Sequence, residues 1–449
     1  MDTSEHPTLS PLSGPTGSTS YADLARVFLR IGVLGFGGPA GQIAMMHDAI
    51  VERRSWISET EYLRALSVCH LLPGPEAMQL ATWIGWRLQG VIGGLISGGL
   101  FVLPGALLML SLSIGYALYA QLPALSAVLL GLKATVLALV LQALIRLSGR
   151  ALKTPLDRGL AIGGFIALAA FSVPFPLVVL GAGLIGLSLG FLQKPDTVPP
   201  ATGPQPNLWA GIRHLGLTTL IWGGLWFAPL VAVWVWLGPD HVLWDIGLLF
   251  SKLAMVTFGG AYAVLAYLAQ AAVDTFGWLK PGEMADALGL AETTPGPLIL
   301  VTQHVGFLAA YRDPGGLDPI LAGVLGASLT TWVTFVPCFL WIFALAPWIE
   351  ALNRQPALRA GLSAISASVV GVMASLALWF GLHLLFTDRA PRALGPITLE
   401  VPVLASVSLP ALGLSLLATG LLLGLRWGVV RTLLVVSVVA LGLSHVLTV

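Results

Sequence analysis

The sequence predicts an all-α polytopic membrane protein made of two homologous halves, read as inverted repeats with broken, re-entrant helices and about 10 to 13 spans. Three observations predict it. Hydrophobic residues make up 56% of the 449 and charged residues only 10%, with a mean hydropathy of +0.88, far from the composition of soluble domains. Apolar runs at 91–119, 123–145, 209–237, 319–349 and 362–386 reach the roughly 18 to 20 residues that a helix needs to cross a bilayer. Finally, the chain repeats itself at a spacing of 222 residues. Outer-membrane strands would instead alternate over segments of about 10 residues, and that pattern is absent.

The elements follow in chain order. Residues 1–20, rich in Ser, Thr, Pro and Gly, lack both a basic start and an apolar signal core and read as a disordered tail. The first repeat, 21–192, opens on an apolar segment broken at Gly35-Phe36-Gly37-Gly38-Pro39, continues through a mixed-charge stretch from Met46 to Glu61, and breaks again at Pro73-Gly74-Pro75 before long apolar helices. Segments 62–72 and 76–86 are each too short to cross, so they read as half-helices meeting at the Pro-Gly-Pro turn. Between 146 and 158, Arg146, Arg150, Lys153 and Arg158 face only Asp157, which places that loop in the cytoplasm. The polar, Pro-rich linker 193–208 ends this half, and a linking helix at 209–243 has no counterpart ahead of the first repeat. In the second repeat, 244–449, the spacing of 222 sets Phe258-Gly259-Gly260 on Phe36-Gly37-Gly38, Trp278 on Trp56, Glu283 on Glu61 and Pro295-Gly296-Pro297 on Pro73-Gly74-Pro75. That amounts to 13 identities over the 40 positions 36–75. An unpaired linking helix between two such copies inverts one relative to the other.

Glycine and proline inside a membrane helix free backbone groups that hydrocarbon cannot satisfy, so such breaks survive only within protein or beside water. They therefore mark the candidate site: Gly37, Gly38, Pro39, Pro73, Gly74, Pro75, Gly259, Gly260, Pro295, Gly296 and Pro297. Pro39 suits the first turn of a new helix, whose free N–H groups and positive dipole end attract an anion. Intramembrane cations join the candidates: Lys133, with no carboxylate in its own helix, and Arg30 and Lys252, each six residues ahead of its Phe-Gly-Gly. His70, Glu76 and Glu292 are titratable groups suited to proton coupling, and Gln79, Thr293, Thr294 and His304 are neutral polar groups near the breaks. For each the bland alternative is plain: a helix cap for Glu76, an ion pair for Lys133, positive-inside anchoring for Arg30, interhelical hydrogen bonds for the rest.

The net charge of +1, with basic and acidic residues scattered over short loops, gives no support for nucleic-acid binding. Cys69 and Cys338 stand apart in apolar segments and read as packing residues. No P-loop, dinucleotide fingerprint, CxxC or HExxH is present, so no catalytic residue, metal or cofactor is assigned and an ATP-driven pump is excluded. Breaks and cations would also line a passive anion channel, and uphill transport separates the two readings.

The segments FLRIGVLGFGGPAGQIAMM (28–46), LLPGPEAMQLATWIGWR (71–87), GLKATVLALV (131–140), VTFGGAYAVL (256–265) and LAETTPGPLI (290–299) resemble the chromate ion transporter family in its long, two-half form. The resemblance implies a secondary transporter exporting chromate, with sulfate as a structural analogue, across the bacterial cytoplasmic membrane, driven by an ion gradient or by sulfate exchange and giving chromate resistance. It carries motif roles to Gly37, Gly38, Pro39, Pro73, Gly74, Pro75, Glu76, Lys133, Gly259, Gly260, Pro295, Gly296 and Pro297. Membrane lipids are the expected surroundings, and a homodimer is compatible with this reading. One departure is Gly35, where Ser or Thr is more usual and where the second copy has Thr257.

Overall fold

The computed structural model describes residues 19–36, 38–70, 72–171, 173–192, 208–258, 261–345, 355–394 and 397–447. Gly37, Gly259 and Gly260 of the expected site lie outside them. Among the described residues the chain forms sixteen α-helices and one antiparallel hairpin. Seven helices precede the linker: α1 (Tyr21–Leu34), α2 (Gly38–His47), α3 (Glu59–Cys69), α4 (Glu76–Tyr119), α5 (Pro123–Ala151), α6 (Pro155–Ala169) and α7 (Phe175–Leu192). After it come α8 (Leu208–Trp236), α9 (Val242–Val256), α10 (Ala261–Ala269), α11 (Pro281–Thr293), α12 (Val301–Arg312), α13 (Pro319–Leu345), α14 (Pro356–Leu385), the strands β1 (Arg389–Leu394) and β2 (Ile397–Pro402), α15 (Leu409–Thr419) and α16 (Val429–Leu447). Six helices are long and apolar enough to cross a membrane, and two shorter apolar helices accompany them, so this is an all-α, multi-pass membrane protein.

Local chemistry sets the helix starts. Ser20 and Ser58 cap α1 and α3 by accepting the N–H of Asp23 and Glu61, and Thr154 and Asp157 form a reciprocal capping box with Pro155 in the first turn of α6. At the spacing of 222, α1, α2 and α3 fall on α9, α10 and α11, and the π-turn Asp48–Glu52 falls on its counterpart Gln270–Thr275. The long helices α5 and α14 both open on Pro-Ala-Leu, at 123 and 356.

Four bounds differ from the sequence reading. The first half-helix stops at Cys69, not 72. The second runs on to Leu88, because the turn falls where Gln89 (φ −140°) and Gly90 (φ +65°) leave helical geometry within α4. The two arms of α4 fold back on each other there: a Cβ on Gly85 would lie 2.2 Å from the carbonyl oxygen of Gly93, and Ser97 Oγ donates to Ala81 O at 2.7 Å. The linking helix likewise ends early, at Trp236. His241 then accepts the N–H of Leu243 and starts α9 at Val242, two residues ahead of the expected boundary.

The interior is one large apolar cluster shared by both halves, with a smaller one where α5 meets α15 and α16. Helix α14 packs on α6 and α7, and α5 packs on α15 and α16, so a long helix of each half lies on the closing helices of the other. Small residues allow this closeness: added Cβ atoms on Gly186, Gly190 and Gly371 would sit 2.5 Å or less from the facing backbone, as would one on Gly85 within α4.

Candidate functional site

The breaks come together. The N–H of Gly74 donates to Thr257 O at 2.8 Å, and the N–H of Gly296 donates to Gly35 O at 3.1 Å. At the spacing of 222, Gly74 falls on Gly296 and Gly35 on Thr257, so this is one hydrogen bond made twice, each Pro-Gly-Pro turn reaching the other half's first break. Glycine is required at both turns, since φ is +117° at Gly74 and +93° at Gly296. Pro73, Pro75, Pro295 and Pro297 flank them without N–H groups to satisfy. A Cβ on Gly105 of α4 would lie 2.2 Å from Pro295 O, so that helix rests directly on the second turn.

Helix starts surround this crossing. Gly38 (φ +71°) begins α2 with Pro39 in its first turn, Glu76 begins α4, and Leu298–Leu300 leads into α12. Their unsatisfied N–H groups and dipoles favour a negative charge nearby. Two buried glutamines stitch the carbonyls: Gln79 Nε2 donates to Pro73 O at 2.7 Å, and Gln42 Nε2 donates to both Gly35 O (3.0 Å) and Gly296 O (2.5 Å).

Of the expected titratable groups, His70 and Glu76 are joined by a hydrogen bond between Nδ1 and Oε2 across the first Pro-Gly-Pro turn. Glu292 is buried on α11. Thr293 and Thr294 donate to Leu290 O and Ala291 O and so close the end of α11. His304 is fully buried, with Nδ1 2.8 Å from Ser113 Oγ and its ring edge-on to Tyr116.

Lys133 meets a carboxylate from another helix: its Nζ is 3.1 Å from Asp286 Oδ1, while Tyr116 OH donates to Oδ2 at 2.9 Å. The group lines a cavity of about 240 Å³ together with Glu283, Tyr311 and Arg312. Arg312 holds Glu283 through two bonds, 2.7 and 2.9 Å, and Arg87 holds the equivalent Glu61 at 2.6 Å. Arg30 and Lys252 do not join the crossing. Both are exposed on their helices, and Lys252 Nζ stands 5.9 Å from the Tyr267 ring centre.

Two residues, one in the Lys133 group and one at the crossing, escaped the sequence reading. Asp286 sits inside the apolar run of α11, and Gln42 is a polar residue among the small and apolar residues of α2. The cost of burying polar groups in membrane helices was the signal that pointed to both.

A chromate transporter family model matches residues 22–187 and 244–444. A chromate transport protein of Pseudomonas aeruginosa is 30% identical over 438 residues, 95% of this chain and 92% of that protein. A probable chromate transport protein of Synechococcus elongatus is 29% identical over 366 residues (81% and 85%), and a chromate transport protein of Cupriavidus metallidurans is 28% identical over 361 residues (78% and 80%). No solved structure matches.

Proposed function

This chain belongs to the chromate transporter family and is a transporter, not an enzyme, and from that premise we propose that it is a secondary active carrier exporting chromate across a bacterial cytoplasmic membrane. The observation that carries the reading is the double crossing of the breaks through Gly74–Thr257 and Gly296–Gly35. It gathers helix N-termini from both halves around one centre, and a tetrahedral dianion is the ligand such a centre favours. The residues proposed to surround the ion are Gly38, Pro39 and the two Pro-Gly-Pro turns. Arg30 and Lys252 lie on the approach, and His70, Glu76 and Glu292 couple proton movement to it. Sulfate, of the same shape and charge, is proposed as competitor or exchange partner, and export as the source of chromate resistance.

The two halves, 21–192 and 244–449, are proposed to be inverted repeats. The Glu61–Arg87 pair lies at the start of the second arm of α4, while the Glu283–Arg312 pair lies beside Tyr116 and Ala120 at its end. That arm is roughly 40 Å long at 1.5 Å per residue, enough to separate the two mouths by a bilayer. The basic loop after α5 supports a cytoplasmic Arg87 mouth.

The test is labelled chromate flux in proteoliposomes, with and without an imposed proton gradient and with excess sulfate. Uphill accumulation that sulfate inhibits is expected. Flux that only dissipates a chromate gradient would replace the carrier with a channel, and no chromate flux in inserted protein would overturn the substrate.

A further inference from the structure

The two halves are packed differently, and one ion pair lies where they differ. On α11 every residue from Met284 to Glu292 is buried, as is α10 from Val264 to Ala269, and α11 lies on α5 and α14. The corresponding α3 packs chiefly on α4 and leaves Leu63 (48% exposed), Arg64 and Ser67 uncovered. The anchoring residues differ in the same way. Asp286 stands at the position of Arg64, and Lys133 stands where α14, aligned on Pro-Ala-Leu, has Ser366. Among the described residues, the anchor Lys133–Asp286–Tyr116, joining α11 to α5 and α4, therefore has no counterpart between α3 and α14.

We propose that Asp286 is the gate residue of the Arg312 side. Its bond to Lys133 holds α11 on α5 and closes that mouth, whereas among the described residues α3 makes no such bond to α14. An oxyanion in the 240 Å³ cavity that takes the place of Asp286 on Lys133 releases α11, so substrate itself opens the gate. Lys133 then acts on the gate as well as on the ion, which deepens the transport reading above and rests on it only for the identity of that ion.

Hydrogen exchange of segment 281–293 in lipid nanodiscs without substrate tests the latch apart from that reading. Asp286→Asn and Lys133→Gln are each expected to speed exchange across 284–292 at least tenfold, and the swapped pair Lys133→Asp with Asp286→Lys to return it towards the native rate. Unchanged exchange in both single variants overturns the proposal. Should the swap fail to insert, a Leu132→Cys, Gly289→Cys pair decides, since a Cβ on Gly289 would be 3.0 Å from Leu132 Cβ and a slight parting of the helices brings the pair to the disulfide spacing of about 3.5–4.5 Å. Oxidising that pair should stop flux and reducing it, with reductant removed before chromate is added, should restore it; full flux in the cross-linked protein overturns the gate.

A second observation stands independently at the other end of α5. A cavity of about 410 Å³ is lined by Gln142, Arg146, Arg426 and Trp427 beside aliphatic Ile145 and Leu422, and the Arg431 guanidinium lies 3.7 Å from the Trp427 ring centre. Among the described residues, none of these arginines pairs with a carboxylate. Cations and an indole beside an aliphatic wall are the chemistry of a lipid phosphate at a membrane surface. We infer that this cavity holds the headgroup of an anionic phospholipid. Native mass spectrometry should retain phosphatidylglycerol at least tenfold better than phosphatidylcholine, and an Arg146→Gln, Arg426→Gln variant should lose that preference. Equal retention of the two lipids, or preference kept by the variant, overturns the lipid site, and inorganic phosphate competing equally well would make it a site for the free ion.

Discussion

Replacing Gln42 tests whether the crossing of the breaks is the functional centre. Its side chain is fully buried, and its Nε2 is the donor that ties Gly35 O to Gly296 O. In Gln42→Leu the Gly35 carbonyl keeps the N–H of Gly296 at 3.1 Å, but the Gly296 carbonyl loses this donor. A buried acceptor left unmade costs about 1–3 kcal/mol. Leucine also removes Gln42 Oε1, which has no donor of its own, so the lower part of that range applies, about 1–2 kcal/mol, or roughly a 5- to 30-fold fall in the population with both halves joined. The assay is the initial rate of labelled chromate flux in proteoliposomes at matched incorporation. Flux in Gln42→Leu should fall by roughly 5- to 30-fold, and native flux in this variant would refute the argument.

Gly105→Ala should lower flux by an order of magnitude or more, because its Cβ would lie 2.2 Å from Pro295 O, whereas Gly99→Ala, which meets nothing within 4 Å, should leave flux and thermal stability at or above native values. Glu76→Gln keeps a partner for His70 but removes the charge, and should weaken the dependence of flux on an imposed proton gradient; unchanged dependence removes Glu76 from coupling. Gly35→Thr alone should impair flux, since its Cβ would be 2.7 Å from Ile31 O and 3.3 Å from Gln42 Cγ, and Gly35→Thr with Gln42→Val, which copies the second half, should recover part of it.

Much of this was legible in the sequence because it rests on backbone chemistry. Pro-Gly-Pro and Phe-Gly-Gly announce where a helix must stop, and the repeat of 222 announces that it stops twice. The meeting of the breaks was not legible, because it depends on how the two halves cross, and no local pattern encodes that. The need for a carboxylate partner to Lys133 could be read from its apolar helix, but the choice of Asp286 needed the packing of α11 on α5. The break between the apolar runs 76–86 and 91–119 was legible where Arg87 and Gln89 interrupt them, but that the chain folds back there rests on the positive φ of Gly90, which no local pattern dictates.

The departure at Gly35 now has a physical account. Thr257, its counterpart, turns its hydroxyl back to Leu253 O at 2.6 Å, so it is not spent on the crossing. Seven residues on, the second half has Val264 where the first has Gln42. Gly35 leaves room for the glutamine, and the glutamine supplies to the Gly35 and Gly296 carbonyls the donor that no hydroxyl provides in either half. The backbone bonds at the crossing are the same in both halves because they use no side chain, and divergence of residue type leaves them intact. Where the halves differ, at Gly35 and Thr257, Gln42 and Val264, Glu76 and Leu298, Arg64 and Asp286, the differences are in donors and charges placed around an unchanged frame. A symmetric frame suits holding a tetrahedral ion, which looks the same from either half. Under the gate proposed above the two mouths respond differently to that ion, and the side chains that differ supply the difference.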